Sequence, residues 1–215
     1  MIELAAFLGN PGQEYEANRH NAPWLLLRKL PFYNTLSWRK KFQGLWADAD
    51  RQIPLPETAP GAVHFLMPQT YMNRSGDSVH KAAVFYKIKP ENILIIHDEL
   101  ELPLGTLSLK YSGGLGGHNG LRSIKASFGT ADFWRLRIGI GRPDDRLPGQ
   151  GGREGSGKGI VEWVLSDFSM EETVLLEPVL EAASDLLIRL LANEPEELLP
   201  QWGKKKITEP INNSV

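Results

Sequence analysis

The chain has no cysteine among its 215 residues. That excludes a disulfide framework and any thiolate metal site, and it suits a reducing cytoplasm. Long apolar runs are also missing: nothing approaches the roughly 20 residues that span a bilayer. Met1-Ile2-Glu3 does not open a signal peptide, so the sequence predicts a cytoplasmic protein with no membrane partner. Net charge is nearly absent too, at −2. This argues at first against nucleic acid, but the balance is uneven. Ser169 to Leu199 holds eight acids and one base, Arg189, which leaves 23 bases against 18 acids elsewhere. A moderately basic body with an acidic helix is compatible with RNA without demonstrating it. No internal repeat is visible.

What is present is an alternation of strand and helix patterns. Ala5 to Leu8 reads as the end of a buried strand, and Gly9-Asn10-Pro11-Gly12 forces a turn after it. Arg19-His20-Asn21 then leads into an apolar helical run, Trp24 to Leu27. Further on, Phe42 to Asp48 alternates as a strand, Ile53 to Gly61 with its three prolines is a loop, and Ala62 to Met67 is a strand. A polar turn precedes a helix over Asp77 to Tyr86. Ile93 to Ile96 is a fully apolar strand that delivers His97-Asp98-Glu99 at its end. Thr106 to Lys110 and Trp134 to Ile140 are strands, separated by a glycine-rich turn and a helix over Leu121 to Phe128. Asp144 to Gly159 reads as a loop and Ile160 to Leu165 as a last strand. A long amphipathic helix follows, kinked or restarted at Pro178, and the chain beyond Trp202 reads as frayed. This pattern predicts an α/β fold: a single three-layer α/β/α domain over 1–200 with a mixed, mostly parallel central sheet, and a tail over 201–215.

Some motifs carry no chemistry. Gly152 to Gly159 nearly spells a phosphate loop, but Gly159 replaces the hydroxyl residue that would hold magnesium. Gly113 to Gly120 lacks the dinucleotide spacing, because Asn119 stands where the last glycine belongs. Ser75 lacks the flanking glycines of a nucleophile elbow. His64, His80, His97 and His118 form no pair at metal-ligand spacing, so no metal is expected. The remaining polar groups share one property: each lies just past a strand or in a glycine-rich turn, where open sheets place ligands. Asn10 and His20 follow the first strand, Asn73 the one ending at Met67, and Asp98 the one from Ile93, while Asn119 closes the glycine turn. Singly, each has an ordinary explanation as a cap, a turn amide or an ion pair. Together, an imidazole, a carboxylate and three amides suggest hydrolysis by activated water, with no covalent intermediate. A neutral histidine takes the proton, a carboxylate holds its tautomer, and amides orient a carbonyl.

At these residues the sequence resembles the bacterial-type peptidyl-tRNA hydrolase family. The matching stretches are Leu8 to Gly12 with Tyr15 and Arg19-His20-Asn21, then Pro68 to Gly76, His97 to Pro103, Gly116 to Leu121 and Phe133 to Gly141. They keep the family's order and spacing over residues 4 to 190. The resemblance implies hydrolysis of the ester between a peptide and the 3′ acceptor end of tRNA, by a monomer needing no cofactor. It implies His20 as general base, Asp98 as its orienting carboxylate, and Asn119 as holder of the water or the scissile carbonyl. Asn10 and Asn73 would position the peptide and terminal nucleotides, with Tyr15, Tyr71, Met72 and His118 lining the groove. Lys110 and Arg137 would meet tRNA phosphates. Three departures stand out: Pro23 where the family usually has glycine, the long 144–159 loop, and Leu115 in a place often polar.

Two other function classes remain at this point. A non-catalytic RNA-binding relative of the same fold would have no need of a base and carboxylate, and His20 and Asp98 weigh against it. A general small-ester hydrolase would have no need of the basic residues flanking the cleft.

Overall fold

The computed structural model describes residues 1–49, 63–143 and 157–207. The strands are β1 (Leu4–Phe7), β2 (Arg39–Lys41), β3 (Gly44–Asp48), β4 (His64–Pro68), β5 (Ile93–Glu99), β6 (Thr106–Tyr111), β7 (Trp134–Gly139) and β8 (Lys205–Lys206). They form one sheet in the order β2-β3-β4-β1-β5-β7-β6-β8. The centre, β4-β1-β5-β7, is parallel, and both flanks are antiparallel. The helices are α1 (Ala22–Lys29), α2 (Ser75–Tyr86), α3 (Asn119–Phe128), α4 (Gly157–Val164), α5 (Met170–Ala192) and α6 (Pro195–Trp202).

Period-2 alternation explains the three layers. In β5, Leu94 and Ile96 pack with α1 and α5 through Leu26, Leu27, Val179, Leu186 and Leu190. Ile93 and Ile95 face the opposite way, onto α2 and α3 through Val79, Ala82, Leu121 and Ile124. A central strand buried on both faces must be apolar throughout, which is why β1 and β5 read as unbroken hydrophobic runs. The two helices of the second layer cross at Gly76. A Cβ there would stand 2.3 Å from the Ser123 carbonyl oxygen, and the Gly76 N–H donates to Ser123 Oγ at 2.9 Å.

Four local expectations are corrected. Phe42 to Asp48 is not one strand: Phe42 and Gln43 sit at φ 54° and 55°, the tip of a hairpin joining β2 to β3. Ile160 to Leu165 is helical, within or directly after α4, and that helix already begins at Gly157. A six-residue apolar run has no period of its own, and packing of Trp163 and Val164 into the core decides it. The long helix α5 runs through Pro178 without restarting; Val174, whose carbonyl loses its donor there, lies on an exposed stretch. Beyond Trp202 the chain is not frayed at once, since Lys205–Lys206 pairs with β6 and Ser108 Oγ donates to the Gly203 carbonyl. The proline-containing loop 53–61 and residues 144–156 lie outside the described residues.

Candidate active site

The turn after β1 is built against α1. A Cβ at Gly9 would overlap the Trp24 indole at 2.5 Å, and Trp24 Nε1 donates to the Phe7 carbonyl at 2.9 Å. This contact brings Asn10 over the start of α1. The Asn10 N–H donates to Asn21 Oδ1 at 2.8 Å, and Asn21 Nδ2 donates back to the Asn10 carbonyl at 3.0 Å. The Asn10 side chain in turn accepts, through Oδ1, the Met72 N–H at 2.8 Å. Three sequence-distant pieces are thereby fastened together, and Nδ2 of Asn10 is left without a hydrogen bond among the described residues.

Asn21 and Arg19 hold the histidine between them. Arg19 donates to the Ser166 carbonyl and Oγ and to the Asp167 carbonyl, and it pairs with Glu172. Its guanidinium also lies 3.7 Å from the centre of the Trp163 ring. Glu172 is doubly employed, because it completes a capping box with Ser169 at the start of α5. The loop carrying His20 is thus locked to the α4–α5 elbow.

His20 and Asp98 come together as expected. His20 Nδ1 stands 2.9 Å from both carboxylate oxygens of Asp98. Nδ1–H therefore donates, and Nε2 keeps its lone pair. A second imidazole shares the same carboxylate: His118 Nε2 lies 2.9 Å from Asp98 Oδ1. The tautomer of His118 is set from its other side. Its Nδ1 caps α3 by accepting the Gly120 N–H at 3.1 Å and the Leu121 N–H at 3.4 Å, so the ring proton must sit on Nε2 and point at Asp98. Burial alone would raise the Asp98 carboxyl, but His20 and His118 outweigh it and hold the group far below the usual carboxylate range. Beneath them His97 is wholly buried. Burial pushes its pKa well down, and the neighbouring His118 ring acts in the same direction. Its Nδ1–H donates to the Asp98 carbonyl at 2.6 Å.

The donor atoms of His20, Asp98 and His118 lie within 4.8 Å of one another, a spacing that could hold a metal ion. Searching the sequence for histidine pairs missed this trio, because its members are 78 and 20 residues from their shared carboxylate. A metal there would have to displace both ring protons that the carboxylate now accepts.

The remaining predicted residues divide. Asn73 and Asn119 are exposed on the rim, Asn119 as the first residue of α3, and Tyr15 is half-buried in the turn after Gly12. Tyr71 is 59 % exposed. Met72 does not present its side chain to the cleft: it is buried in the core under α3, and its backbone N–H does the work on Asn10. Lys110 and Arg137 lie on β6 and β7, on the same face of the sheet. Arg137 is not a bare cation, for its Nε donates to Glu99 at 3.0 Å and Nη1 to Ser108 Oγ at 3.2 Å. Burial lowers the Lys110 ammonium pKa, and so do the positive charges of Arg135 and Arg137.

Arg135 and Glu99 were missed at the level of sequence. Arg135 is 1 % exposed, donates through Nη1 to the Gly114 carbonyl at 2.7 Å, and has Nε and Nη2 buried without partners among the described residues. The alternation Arg135-Leu136-Arg137 was the available signal, because residues two apart in a strand share a face. Three cations and one acid therefore form a positive stripe beside the glycine turn.

A family model described as peptidyl-tRNA hydrolase matches residues 4–210. A peptidyl-tRNA hydrolase of Treponema pallidum is 46 % identical over 209 residues, which is 96 % of each chain. One from Desulfitobacterium hafniense is 44 % identical over 182 residues, covering 84 % of this chain and 88 % of that one. Among solved structures, peptidyl-tRNA hydrolase from Acinetobacter baumannii superimposes with a TM-score of 0.73 at 37 % identity, covering 93 % of this chain and 91 % of that one. A peptidyl-tRNA hydrolase solved with n-propanol gives 0.75 at 36 % identity and the same coverage. By sequence over almost its whole length and by fold, the chain belongs to the peptidyl-tRNA hydrolase family.

Proposed function

We propose that this chain hydrolyses the ester joining a peptide to the 3′ end of tRNA, releasing the peptide and reusable tRNA. The observation that carries the chemistry is the pairing of His20 Nδ1 with Asp98, which leaves Nε2 as a lone-pair base. In the scheme, His20 Nε2 takes a proton from water, the hydroxide attacks the ester carbonyl, and the protonated ring returns the proton to the departing ribose 3′ oxygen. Asn119 holds the water or the reacting carbonyl from the start of α3. The scheme needs neither metal nor cofactor. Lys110 and Arg137, with Arg135 behind them, attract the phosphates of the acceptor end. The single catalytic domain expected over 1–200 runs on through β8 at Lys205–Lys206, and the enzyme works as a cytoplasmic monomer.

The hydrogen bonding of Asn10 supports a way of telling peptidyl-tRNA from aminoacyl-tRNA. The two differ at one nitrogen, an amide in the substrate and an amine otherwise. With Oδ1 of Asn10 occupied by Met72, the side chain has its Nδ2 donor to offer. That donor suits the carbonyl of the first peptide bond, which an unblocked aminoacyl group lacks. Asn73, exposed and unconstrained by hydrogen bonds among the described residues, supplies an acceptor for the amide N–H. A polar site left unpaired by the wrong substrate discriminates strongly.

The test is turnover of N-acetyl-aminoacyl-tRNA against the unblocked form. The first should be cleaved rapidly and the second very slowly, and Asn10→Ala should narrow the gap more than it weakens tRNA binding. His20→Ala should lower kcat by about 10²–10⁴, and the rate should fall on acidification as the ring loses its lone pair. Equal rates on both substrates, or full activity in the His20 variant, would reject this reading.

A further inference from the structure

A cavity of about 730 Å³ lies between the β2–β3 hairpin tip and the segment from Gln69 to Arg74. Nothing in the catalytic scheme uses most of its walls. Three cations line it, Lys40, Lys41 and Arg74, together with the amides of Gln43 and Gln69. Lys40 is exposed and makes no ion pair among the described residues. The Lys41 ammonium is held in place: it donates to the Tyr86 hydroxyl and lies 4.4 Å from the Phe85 ring centre and 4.7 Å from that of Phe42. Among the described residues Arg74 pairs with one acid, Asp77. Thr70, also in the lining, carries a buried Oγ1 with no hydrogen-bond partner among the described residues. A buried hydroxyl without a partner beside a polar cavity points to a ligand that supplies one.

The position says which part of the substrate this is. The cavity opens at the carboxyl end of β4, on the same rim of the sheet as the His20–Asp98 pair at the carboxyl end of β5, because β4, β1 and β5 are parallel. Thr70 and Tyr71 run directly into Met72, which grips Asn10. Two residues of extended chain span about 7 Å, so the groove begins close to the proposed acyl site. It lies on the β2–β3 flank, whereas Lys110, Arg135 and Arg137 lie across the centre on β6 and β7. If the nucleic acid approaches over the second flank, the peptide leaves over the first. A smaller cavity of about 280 Å³, which shares Leu45 and Gln69 with the groove, continues it toward Gly12.

We propose that this groove is a subsite for the peptide, and that its three cations favour acidic side chains two to four residues before the ester. The proposal rests on the hydrolase reading above and goes beyond it in naming which peptides are preferred. Carboxylates fit because the groove offers ammonium and guanidinium groups with few acids to compete, and the Phe42 and Tyr71 rings supply apolar wall for the residues between.

The experiment compares substrates on one tRNA: N-acetyl-aminoacyl-tRNA, too short to reach the groove, and acetyl-tetrapeptidyl-tRNAs with glutamate, serine or lysine at the second and third residues before the ester. For the unmodified enzyme, kcat/KM should be higher for the glutamate peptide than the lysine peptide by about 5–20-fold, the scale of one or two charge contacts. Lys40→Glu with Arg74→Glu should reverse that order and leave the short substrate within about twofold. Lys40→Ala, a change at an exposed position, should give part of the effect if the double variant folds poorly. Thr70→Val should weaken all three tetrapeptide substrates alike. A free acetylated acidic tetrapeptide should shift the backbone amide resonances of Gln43, Gly44 and Thr70, a readout independent of hydrolysis. No dependence on peptide charge, together with no shifts, would overturn the proposal. An equal loss on the short substrate would overturn it in favour of an RNA-binding groove. Failure to cleave even the short substrate would instead reject the hydrolase reading, and the resonance shifts would still judge the groove.

Discussion

At the scale of single residues, Asp98 is the shared acceptor of two imidazoles, and only one of them is free to act as a base. His118 is locked by its cap on α3, and we propose that it acts as a positioning residue that steadies the carboxylate. Its two jobs are separable by substitution. Glutamine places a donor nitrogen near the position of Nε2 but loses the cap, whereas asparagine places an acceptor oxygen near Nδ1 and loses the donor. His118→Gln should keep the pH–rate profile and lower stability by about 0.5–2 kcal/mol, the usual cost of a lost cap. His118→Asn should keep the stability and alter the profile, because Asp98 then loses the second of its two imidazole donors. Thermal melts and profiles of the two variants decide it, and identical behaviour would mean that His118 only fills space. The strand-and-turn pattern singled out His20 and Asp98, whereas His118 entered only through the family resemblance, as a residue lining the groove. The pattern could not show that Asn10 would have its acceptor occupied by Met72, 62 positions away, nor that Asn21 would be the brace, since both depend on how distant segments close on one another.

At the scale of elements, legibility follows burial. β1 and β5 were readable because a strand covered on both faces tolerates nothing polar until its end, and the polar end is the site. The segment of α4 was misread because its apolar residues pack from one short helix that the sequence cannot distinguish from a strand. What holds that helix beside the site is Arg19, a residue whose partners lie about 150 positions away. The expected outcome of Arg19→Met is a loss of about 3–5 kcal/mol, the cost of stripping one partner from a buried pair, because Glu172 and two carbonyls lose their donor together. Since His20 is the next residue, kcat should fall with little change in KM. Arg19→Lys keeps the charge but not the forked geometry, and should lie between the two. Urea melts alongside steady-state kinetics check this; an unchanged midpoint in Arg19→Met would show that the clamp contributes nothing to the elbow.

At the scale of the whole molecule, charge is segregated and so is acid sensitivity. The acidic residues of α5 lie with α1 behind one face of the sheet, while the cation stripe of Lys110, Arg135 and Arg137 lies on β6 and β7. Lys110→Ala should remove about 0.7–0.9 from the slope of log affinity for tRNA against log salt. Arg137→Ala should remove less, since that guanidinium must first leave Glu99, and Glu99→Gln should tighten binding by releasing it; slopes measured by filter binding would separate these cases. Two depressed groups under the candidate active site, His97 and Asp98, should make the fold sensitive to acid. His97 is depressed in the folded state, so the unfolded chain binds a proton, near the ordinary imidazole value of about 6.5, that the folded chain refuses. Stability contributed by this group is present above that value and is lost as pH falls below it, at no more than about 1.4 kcal/mol per pH unit. Asp98 is depressed as well, so its contribution is present above the ordinary carboxylate range and is lost only on further acidification, toward its lower folded value. Two losses in sequence should therefore appear: a first decline starting in the imidazole range and a second, steeper one below about pH 4. His97→Asn retains a donor to the Asp98 carbonyl, near the position of Nδ1, but has no proton to gain. It should flatten the first decline and leave the second in place. Denaturation midpoints from pH 7.5 down to 3.5 test this, and a first decline that persists in His97→Asn would assign it to another group.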